Sequence, residues 1–340
     1  MRLLAQEFAR KGHEAVVVGF YEPAGSQFRD GVRYQGLGGR GFVHAVFKLA
    51  RYLRQERCAK ILSTLKNSGM AVEFAKILAR RRLWHVVRVA NSYSAELARM
   101  TTGRRLVWQV LLKWLHARAA ATIVVSAGLR DELATICNVT KQHYTVINNP
   151  VEPGPPASSQ NQRRDRQLCI VGRLVEQKNH AFCLEAFAGI LACGYDDVRL
   201  LIVGDGALKV SLQARAKHLG LEDAVEFVGW RDDVLQIIGA SQALLLTSHF
   251  EGFPNVLLEA MNAGVPVVSV DCRFGPSEII TEPVIGELVP VDDLDGYVTA
   301  LKRILLVGRT LDGDAKRREI AAARYSVRGV SQKYERVLGL

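Results

Sequence analysis

Short apolar runs rich in β-branched residues alternate along the chain with longer amphipathic stretches. In the first half the runs predict strands near residues 15–20, 59–63, 84–89, 121–125 and 144–147. In the second half they predict strands near residues 168–172, 198–203, 225–228, 243–246, 267–270 and 286–289. Helical stretches, for example 181–191 and 207–219, lie between the strands. Nearly continuous apolar strands separated by helices indicate parallel sheets that are covered on both faces.

Two such α/β units in tandem predict two Rossmann-like domains whose parallel sheets face a cleft, with ligands at the carboxyl ends of the strands. The length of 340 residues agrees with two domains. We predict an N-terminal domain over 1–150, a linker over 151–167 and a C-terminal domain over 168–340, whose last helix can pack back on the N-terminal domain. The linker is predicted because four prolines and a polar run cannot continue a helix or a central strand; these residues are Pro150, Pro153, Pro155, Pro156 and Ser158 to Gln162.

The beginning of the chain departs from this pattern. Residues 1–10 predict a helix, and Gly12 is a suitable terminator. In a Rossmann-like domain a strand of about five residues ordinarily precedes the first helix. Either the chain starts too late, or the N-terminal domain lacks its usual first strand.

Composition narrows the class of protein. Hydrophobic residues make up 49% and charged residues 23%, as in an ordinary soluble globular protein. No charge-free apolar run approaches the roughly 20 residues of a membrane-spanning helix, and no secretory signal is recognisable. The six cysteines are scattered without a CxxC pair, so we expect reduced cysteines in a cytoplasmic protein and no metal site.

Charge is distributed unevenly between the two halves. Residues 1–150 hold 24 Lys and Arg against 9 Asp and Glu, whereas residues 151–340 hold 21 against 25. A basic half attracts an anionic membrane surface, a lipid phosphate or a nucleic acid, although a solvated basic face would give the same count. Nucleic acid is disfavoured, because no RNA-binding aromatic motif or helix-turn-helix is recognisable. The basic and Trp-containing segment 104–116 predicts either a helix on an anionic leaflet or a core helix with a solvated edge.

The segment 247–261 carries the strongest candidate chemistry. A strand ends near Leu246, a loop follows, and a helix is predicted to begin near Pro254 or Asn255. Backbone N–H groups at such a helix start favour an anion or a sugar hydroxyl. The candidate donor-binding residues here are Glu251, Gly252, Phe253, Pro254, Asn255, Val256 and Glu259. The alternatives are that Glu259 pairs within the protein and that Glu251 is a solvated loop acid.

A second candidate group follows the strand near 168–172. Arg173 and Lys178 flank the loop before a helix that begins around Asn179, a good N-cap residue. Two cations beside a helix start can clamp a diphosphate, and surface pairing with Glu176 is the alternative. Gly204 and Gly206 form a third, weaker group between a strand and a helix, and they fit nucleotide approach or a plain tight turn. The third glycine of a dinucleotide motif is missing, which argues against an NAD enzyme.

Several motifs in series resemble those of the family 4 glycosyltransferases, which have the GT-B fold of two Rossmann-like domains. They are Gly172-Arg173-Leu174, Gln177-Lys178-Asn179, Val225 to Gly229, Glu251 and Glu259 at an E-x7-E spacing, Pro266-Val267-Val268 and Gly275 to Ile280. The resemblance implies transfer of a sugar from a nucleotide-sugar, with retention of configuration and without a metal or other cofactor. It implies that Arg173 and Lys178 hold the diphosphate, that Glu259 binds the ribose, and that Glu251 with the amides of 252–255 holds the sugar.

The resemblance is weaker in the first half, which lacks the usual first strand and Gly-rich loop. Asn91 takes the place of a residue near the reacting carbon and is a candidate catalytic residue together with Glu251, Arg173 and Lys178. The expected partners are a nucleotide-sugar, with uridine favoured over guanosine, a saccharide or lipid-linked acceptor, and an anionic membrane surface. Two alternatives remain within the architecture: a shortened nucleotide-sugar-binding protein with little transfer activity, and a nucleotide-sugar epimerase.

Overall fold

A computed structural model describes residues 1–20, 31–38, 41–98, 100–152 and 164–340. The chain divides into two compact units. Unit 1 comprises Met1–Pro150 and Val327–Leu340, and unit 2 comprises Val151–Ser326. The predicted C-terminal domain ran to residue 340, but residues 327–340 belong to unit 1.

Unit 1 begins with a helix, as the sequence predicts, and its strands pair in parallel within two sheets, β1-β2 and β3-β4-β5-β6. Its described elements are α1 (Arg2–Arg10), β1 (Val16–Gly19), β2 (Arg33–Gly36), α2 (Phe42–Gln55), β3 (Lys60–Thr64), α3 (Lys66–Ala79), β4 (Trp84–Val89), α4 (Tyr93–Ala98), α5 (Thr102–Arg118), β5 (Ala121–Val124), α6 (Ala127–Cys137), β6 (Tyr144–Val146) and α14 (Val327–Leu338).

Helix α14 completes the core of unit 1. Tyr334 is fully buried in a cluster with Leu4 of α1, Val86 of β4 and Ile123 of β5. Lys11 donates to Glu335 at 3.1 Å and so ties the first helix to the last. Burial of a large aromatic side chain among aliphatic residues is a major stabilising contribution, so unit 1 depends on both ends of the chain.

Unit 2 contains a six-stranded parallel sheet with the order β12-β11-β10-β7-β8-β9. Its described elements are β7 (Arg164–Val171), α7 (His180–Ala192), β8 (Arg199–Val203), α8 (Lys209–His218), β9 (Val225–Gly229), α9 (Val234–Ala240), β10 (Ser241–Leu246), α10 (Asn255–Ala263), β11 (Val267–Val270), α11 (Pro276–Ile279), β12 (Gly286–Val289), α12 (Leu294–Val307) and α13 (Leu311–Tyr325).

The central strands of unit 2 are apolar because helices cover both faces of the sheet. Leu168, Ile170 and Leu245 are almost fully buried, and they pack with Phe187 of α7 and Tyr297 of α12 in one core. The Tyr297 hydroxyl donates to the Val268 carbonyl at 2.8 Å, which satisfies its polar group inside the core. The predicted class of two Rossmann-like α/β domains with parallel sheets is confirmed in each unit.

The predicted linker, 151–167, differs from the structure at both ends. Val151 forms a parallel bridge with Ser326 inside unit 2, and β7 already begins at Arg164. The strand extends further than its apolar run because Arg164 pairs with Ser241 at the start of β10. Residues 153–163, which include most of the prolines and polar residues that predicted the linker, lie outside the described part of the chain.

Candidate functional site

The order of the strands in the sheet of unit 2 indicates where a ligand can bind. Strand β7 lies between β8, the next strand along the chain, and β10, so the order reverses between β7 and β10. The carboxyl ends of two neighbouring strands diverge at such a switch point and leave a crevice for a ligand. The segment that contains Lys178 follows β7, and the loop that contains Glu251 follows β10. Both sequence-predicted groups therefore lie at the switch point.

Lys178 and Glu251 form an ion pair at this point. Lys178 Nζ donates to Glu251 Oε1 at 2.5 Å, and Ser248 Oγ donates to the same oxygen at 2.6 Å. The exposed fraction of the two side chains is 18% and 9%, so the pair is shielded from bulk water. The alternatives from the sequence are wrong here, because Lys178 pairs with Glu251 rather than with Glu176, and Glu251 is not a solvated acid.

Only one oxygen of the Glu251 carboxylate is used. Glu251 Oε2 accepts no hydrogen bond from the described residues, although the side chain is buried. Oε2 is nevertheless not a fully buried atom, so a ligand that brings a hydroxyl or N–H group can reach it. The carboxylate is therefore oriented by Lys178 and Ser248 and retains one oxygen for a ligand.

Backbone bonds hold the two loops of the site together. The His249 N–H donates to the Gln177 carbonyl at 2.9 Å, and Gln177 Nε2 donates to the Phe250 carbonyl at 2.9 Å. The Glu251 N–H donates to the Arg273 carbonyl, and its own carbonyl accepts from Phe274. Because the backbone on both sides of Glu251 is fixed, the position of the carboxylate is fixed as well.

Arg173 lies on the same loop as Lys178 but remains unpaired. Its side chain is exposed, and the guanidinium group forms no hydrogen bond or ion pair with the described residues. The helix after this loop begins at His180 with Asn179 as its N-cap, close to the prediction. The Asn179 side chain makes no capping bond, and its φ of 47° is left-handed, so its role differs from that of an ordinary N-cap.

The two candidate glycines after β8 are explained by close packing of loops. A Cβ atom on Gly204 would lie 2.0 Å from the Gly172 carbonyl oxygen, and one on Gly206 would lie 2.5 Å from the Leu174 carbonyl oxygen. Both distances are far shorter than any real contact. The packing of this turn against the loop after β7 therefore requires both glycines, without any nucleotide.

Helix α10 begins at Asn255 with Pro254 as its N-cap, as the sequence predicts. Gly252, Phe253, Pro254 and Val256 are buried, and Asn255 is exposed. A Cβ atom on Gly275 would lie 2.7 Å from Pro254 Cδ, so the loop after β11 supports the start of this helix from behind.

Glu259 is half-buried on α10, and its carboxylate makes no hydrogen bond to the described residues. Burial raises the pKa of this carboxyl group, and the nearby negative charge of Glu152 raises it further. The structure therefore brings Lys178 and Glu251 into contact but shows no contact between Glu259 and either of them.

Asn91 lies in unit 1, at the carboxyl end of β4, and lines a cavity of about 520 Å³. The other walls come from the beginnings of α2 and α3 and from α4, and they include Phe42, Leu65, Lys66, Tyr93 and Glu96. Lys66 Nζ pairs with Glu96 and lies 4.8 Å from the centre of the Trp108 ring. The cavity combines apolar walls with the Lys66–Glu96 ion pair and is thus suited to an amphipathic ligand.

Sequence reasoning missed three groups of residues. Ser248 was not singled out, although its position three residues before Glu251 is a signal for a local hydrogen bond. His180 is buried, and neither ring nitrogen has a hydrogen-bond partner in the described part of the chain. In unit 1, Glu73 and His85 form a buried cluster, and the signal for it is a glutamate inside the apolar run of α3.

Unit 2 is thus a doubly wound sheet with cations and a half-used carboxylate at its switch point, which defines an α/β protein of the nucleotide-binding type. The family model for glycosyl transferases group 1 matches residues 156–323, and the model for glycosyltransferase family 4 matches residues 1–154. The chain belongs to the family 4, group 1 glycosyltransferases, as the motifs of the second half predict.

Several curated proteins are similar to this chain. A lipopolysaccharide 1,6-galactosyltransferase of Salmonella typhimurium is 33% identical over 193 residues, which are 54% of this chain and 52% of that protein. An Escherichia coli UDP-Gal:α-D-GlcNAc-diphosphoundecaprenol α-1,3-galactosyltransferase is 29% identical over 279 residues, which cover 77% of this chain and 70% of that protein. The chain spans about half the length of the first curated relatives that it matches.

Solved structures share the fold. The lipopolysaccharide outer core galactosyltransferase WaaB superposes with a TM-score of 0.72 at 20% identity, over 99% of this chain and 93% of that one. HepE of Anabaena in complex with UDP-glucose superposes with a TM-score of 0.79 at 19% identity, over 99% and 94%. At these identities the similarity shows the GT-B fold.

None of the described helices is long and apolar enough to cross a membrane. The same part of the chain contains no group of three or more His, Cys, Asp or Glu side chains placed to hold a metal ion.

Proposed function

We propose that this chain transfers a hexose-type sugar from a nucleotide-sugar, UDP in preference to GDP, to a saccharide or lipid-linked acceptor in the synthesis of a surface polysaccharide or glycoconjugate. The half-used carboxylate of Glu251 at the switch point, fixed by Lys178, is the observation that carries the proposal. The similar proteins, which include galactosyltransferases and an enzyme acting on a diphosphoundecaprenol-linked sugar, support the substrate classes.

In the proposed reaction, the bond between the anomeric carbon of the sugar and the β-phosphate oxygen breaks. The phosphate oxygen keeps the electron pair, and its negative charge grows as the bond lengthens. Lys178 and Arg173 stabilise that charge. Lys178 is already held in a shielded place, where a fixed cation acts on the transition state more strongly than water does, and Arg173, which is exposed, closes on the phosphate when the donor binds. The two side chains take the part that a divalent cation takes in metal-dependent transferases, so we propose a metal-independent reaction.

Glu251 orients the transferred sugar in this proposal. Its Oε2 accepts a hydrogen bond from a sugar hydroxyl, and the N–H groups of the residues that follow it bind further hydroxyls. Glu259, whose carboxylate is half-buried without a partner in the described residues, accepts from the ribose hydroxyls. Asn91 contacts the acceptor in the cavity of unit 1. We propose that an acceptor hydroxyl oxygen bonds to the anomeric carbon with retention of configuration, and that its proton passes to the departing phosphate oxygen, so that the nucleoside diphosphate leaves. We propose that the acceptor is reached at the cytoplasmic face of a membrane.

The test is binding and hydrolysis of nucleotide-sugars. We expect Lys178→Ala and Glu259→Ala to weaken binding of a UDP-hexose by roughly tenfold or more in calorimetry, as loss of a charged hydrogen bond does. Lys209→Ala is the matched control, since this lysine on α8 makes only a partly exposed pair with Asp205. Wild-type protein should also release free sugar slowly from the donor.

Each alternative outcome identifies another activity. Binding without release of sugar would indicate a silent nucleotide-sugar-binding protein, and conversion to an isomeric nucleotide-sugar would indicate an epimerase. Tighter binding of GDP than of UDP would overturn the preference for uridine. If both site variants bound the donor as wild type does, the site assignment itself would be wrong.

A further inference from the structure

The short helix α4 of unit 1 forms one wall of the cavity that contains Asn91. Asn91 lies two residues before the first residue of the helix, and Tyr93 and Glu96 of the helix line the same cavity. A helix of six residues has too few internal hydrogen bonds to be stable on its own. Contacts with the rest of unit 1 must therefore fix α4, and with it this wall of the cavity.

The carboxylate of Glu132 on α6 binds the start of α4. Its Oε2 accepts from the Tyr93 N–H at 2.9 Å, and its Oε1 accepts from the Ser94 N–H at 3.3 Å. The Ser92 hydroxyl donates to Oε1 at 2.6 Å, and the Ser94 hydroxyl donates to the same oxygen. Both oxygens of Glu132 are thus engaged by the three residues that follow Asn91.

These bonds satisfy N–H groups that a helix leaves open at its start. The first N–H groups of any helix have no acceptor inside the helix. Glu132 accepts from those of Tyr93 and Ser94, and the Ser92 hydroxyl oxygen accepts from that of Ala95 at 3.2 Å. A negative charge at a helix start is favourable as well. Glu132 therefore supplies, from another helix, a large part of the cap of α4.

The other polar groups of α4 hold the helix less firmly. The Tyr93 ring is buried beside His116 of α5, but its hydroxyl has no hydrogen-bond partner in the described part of the chain. A buried hydroxyl without a partner opposes the burial of its ring. Glu96 pairs with Lys66 of α3, but its side chain is 43% exposed. The carboxylate of Glu132 is thus the main polar contact at the start of α4 among the described residues.

We propose that Glu132 is a positioning residue for the acceptor, because it holds Asn91 and the start of α4 in the geometry that binds the acceptor in the cavity. Glu132 does not belong to the described lining of the cavity, so it acts through the backbone of residues 92–94. The proposal rests on the proposed function, since it takes this cavity as the acceptor site.

Amide hydrogen exchange tests the cap without an assay of activity. In Glu132→Gln one acceptor oxygen becomes an NH2 group, which cannot accept from an N–H. Peptides covering 91–98 should therefore exchange roughly tenfold faster than in wild type, while those of α3 exchange as before. The matched control is Asp131→Asn, because this neighbouring carboxylate on α6 pairs with Arg130 and Lys141 instead. Unchanged exchange of α4 in Glu132→Gln would overturn the proposal.

Transfer kinetics separate positioning from a purely structural role. The donor is UDP-galactose, and the acceptor probe is N-acetylglucosaminyl diphosphate on a short alkyl chain, the class of acceptor of a similar galactosyltransferase. In Glu132→Gln the KM for this probe should rise roughly tenfold, as loss of hydrogen bonds to a charged group predicts. The KM for UDP-galactose and the slow release of galactose to water should stay at the wild-type values. Asp131→Asn should match wild type in all three quantities.

A milder variant covers the case in which Glu132→Gln folds poorly. Ser94→Ala removes the hydroxyl bond to Glu132 and leaves both backbone bonds in place. It should raise the KM for the acceptor probe about twofold to threefold, with the thermal unfolding temperature unchanged. If Ser94→Ala had the wild-type KM while Glu132→Gln did not fold, Glu132 would only stabilise unit 1 and the proposal would be wrong.

The donor measurements distinguish failure of this proposal from failure of the proposed function. If wild type transfers galactose to the probe and Glu132→Gln does so with the wild-type acceptor KM, Glu132 has no positioning role and the proposed function stands. If wild type binds no UDP-sugar or transfers none, the proposed function fails, and the role of Glu132 in acceptor binding fails with it.

Discussion

Each unit buries one glutamate among cations, and the two glutamates differ in how many of their oxygens are used. In unit 1, Glu73 Oε1 accepts from Lys76 Nζ and His85 Nδ1, both at 2.7 Å, and Glu73 Oε2 accepts from Arg118 Nε at 3.1 Å. In unit 2, Glu251 accepts at Oε1 alone among the described residues. A carboxylate with both oxygens satisfied stabilises the protein, whereas one with an oxygen left over is ready for a ligand.

The hydrogen bonds of the Glu73 cluster also determine its pKa values. Burial alone would raise the pKa of Glu73, but hydrogen bonds from His85 and Lys76 outweigh it and lower the pKa to about 2. Burial lowers the pKa of His85, against the opposing effect of Glu73. The neutral ring then donates from Nδ1 to Glu73 and accepts at Nε2 from the Ser63 hydroxyl, 2.8 Å away. Both oxygens of Glu73 and both ring nitrogens of His85 thus have protein partners, so we interpret the pair as structural.

The largest effect is expected for Glu73→Gln. Removing the charge leaves Lys76 and Arg118 without their counter-ion beside a buried site, which costs about 3–5 kcal/mol of unfolding free energy. Urea denaturation measures the loss, and Glu185→Gln on α7, where the pair with Arg215 is exposed, should change stability little. UDP affinity of the folded Glu73→Gln protein should stay at the wild-type value. If Glu73→Gln lost UDP affinity but no stability, Glu73 would be a ligand-binding residue and not a structural one.

A smaller effect, dependent on pH, is expected at His180 beside the donor site. Burial, with a contribution from Lys178, lowers the pKa of His180 to about 4. The unfolded chain has an ordinary pKa near 6.5, so the contribution of the neutral ring to stability is complete above pH 6.5 and is lost as the pH falls towards 4. Between pH 6.5 and pH 4 the unfolding free energy of wild type should therefore fall by about 3 kcal/mol because of His180, and in His180→Leu this part of the fall should be absent. Urea denaturation at a series of pH values measures the difference. If the unfolding free energies of wild type and His180→Leu changed with pH in parallel, the lowered pKa of His180 would not be the cause.

The smallest change in stability is expected for Glu251→Gln, which keeps the shape of the side chain. It weakens the bond from Lys178 and costs about 1–3 kcal/mol of unfolding free energy, less than Glu73→Gln does, because Lys178 is partly exposed. Turnover of the donor should nevertheless fall far more than in Glu73→Gln. Thermal unfolding and a sugar-release assay on the same samples give both quantities. Equal loss of turnover in the two variants would remove the distinction between the clusters.

Most strands could be predicted, because apolar runs identify buried parallel strands. Strand β2 was missed, since its sequence Arg33-Tyr34-Gln35-Gly36 is polar and only partly buried. The start of β7 was missed because its first residues, Arg164 to Gln167, are polar in the sequence. The last helix was expected to be able to pack back on the N-terminal domain, and residues 327–340 do belong to unit 1. The contacts that hold it there, between Tyr334 and residues such as Leu4 and Val86, are not contained in any local pattern.

The candidate site was predictable in parts. The positions of Lys178 and Glu251 after two strands follow from local patterns, but their contact depends on the neighbouring places of β7 and β10 in the sheet. The cavity around Asn91 comes from four separate segments, so its volume and lining could not be inferred from the sequence. The Glu73 cluster could have been found, because a glutamate in an apolar helical run needs partners, the argument that singled out Glu259.

The placement of α14 in unit 1 has a consequence for how the two units fold. Unit 2 is one continuous stretch of chain, whereas the core of unit 1 combines residues from both sides of that stretch. Unit 2 can therefore close within its own segment, but unit 1 closes only when Tyr334 reaches Leu4, Val86 and Ile123. A fragment that ends at Ser326 would keep the described residues of unit 2 and lack the α14 side of the unit 1 core.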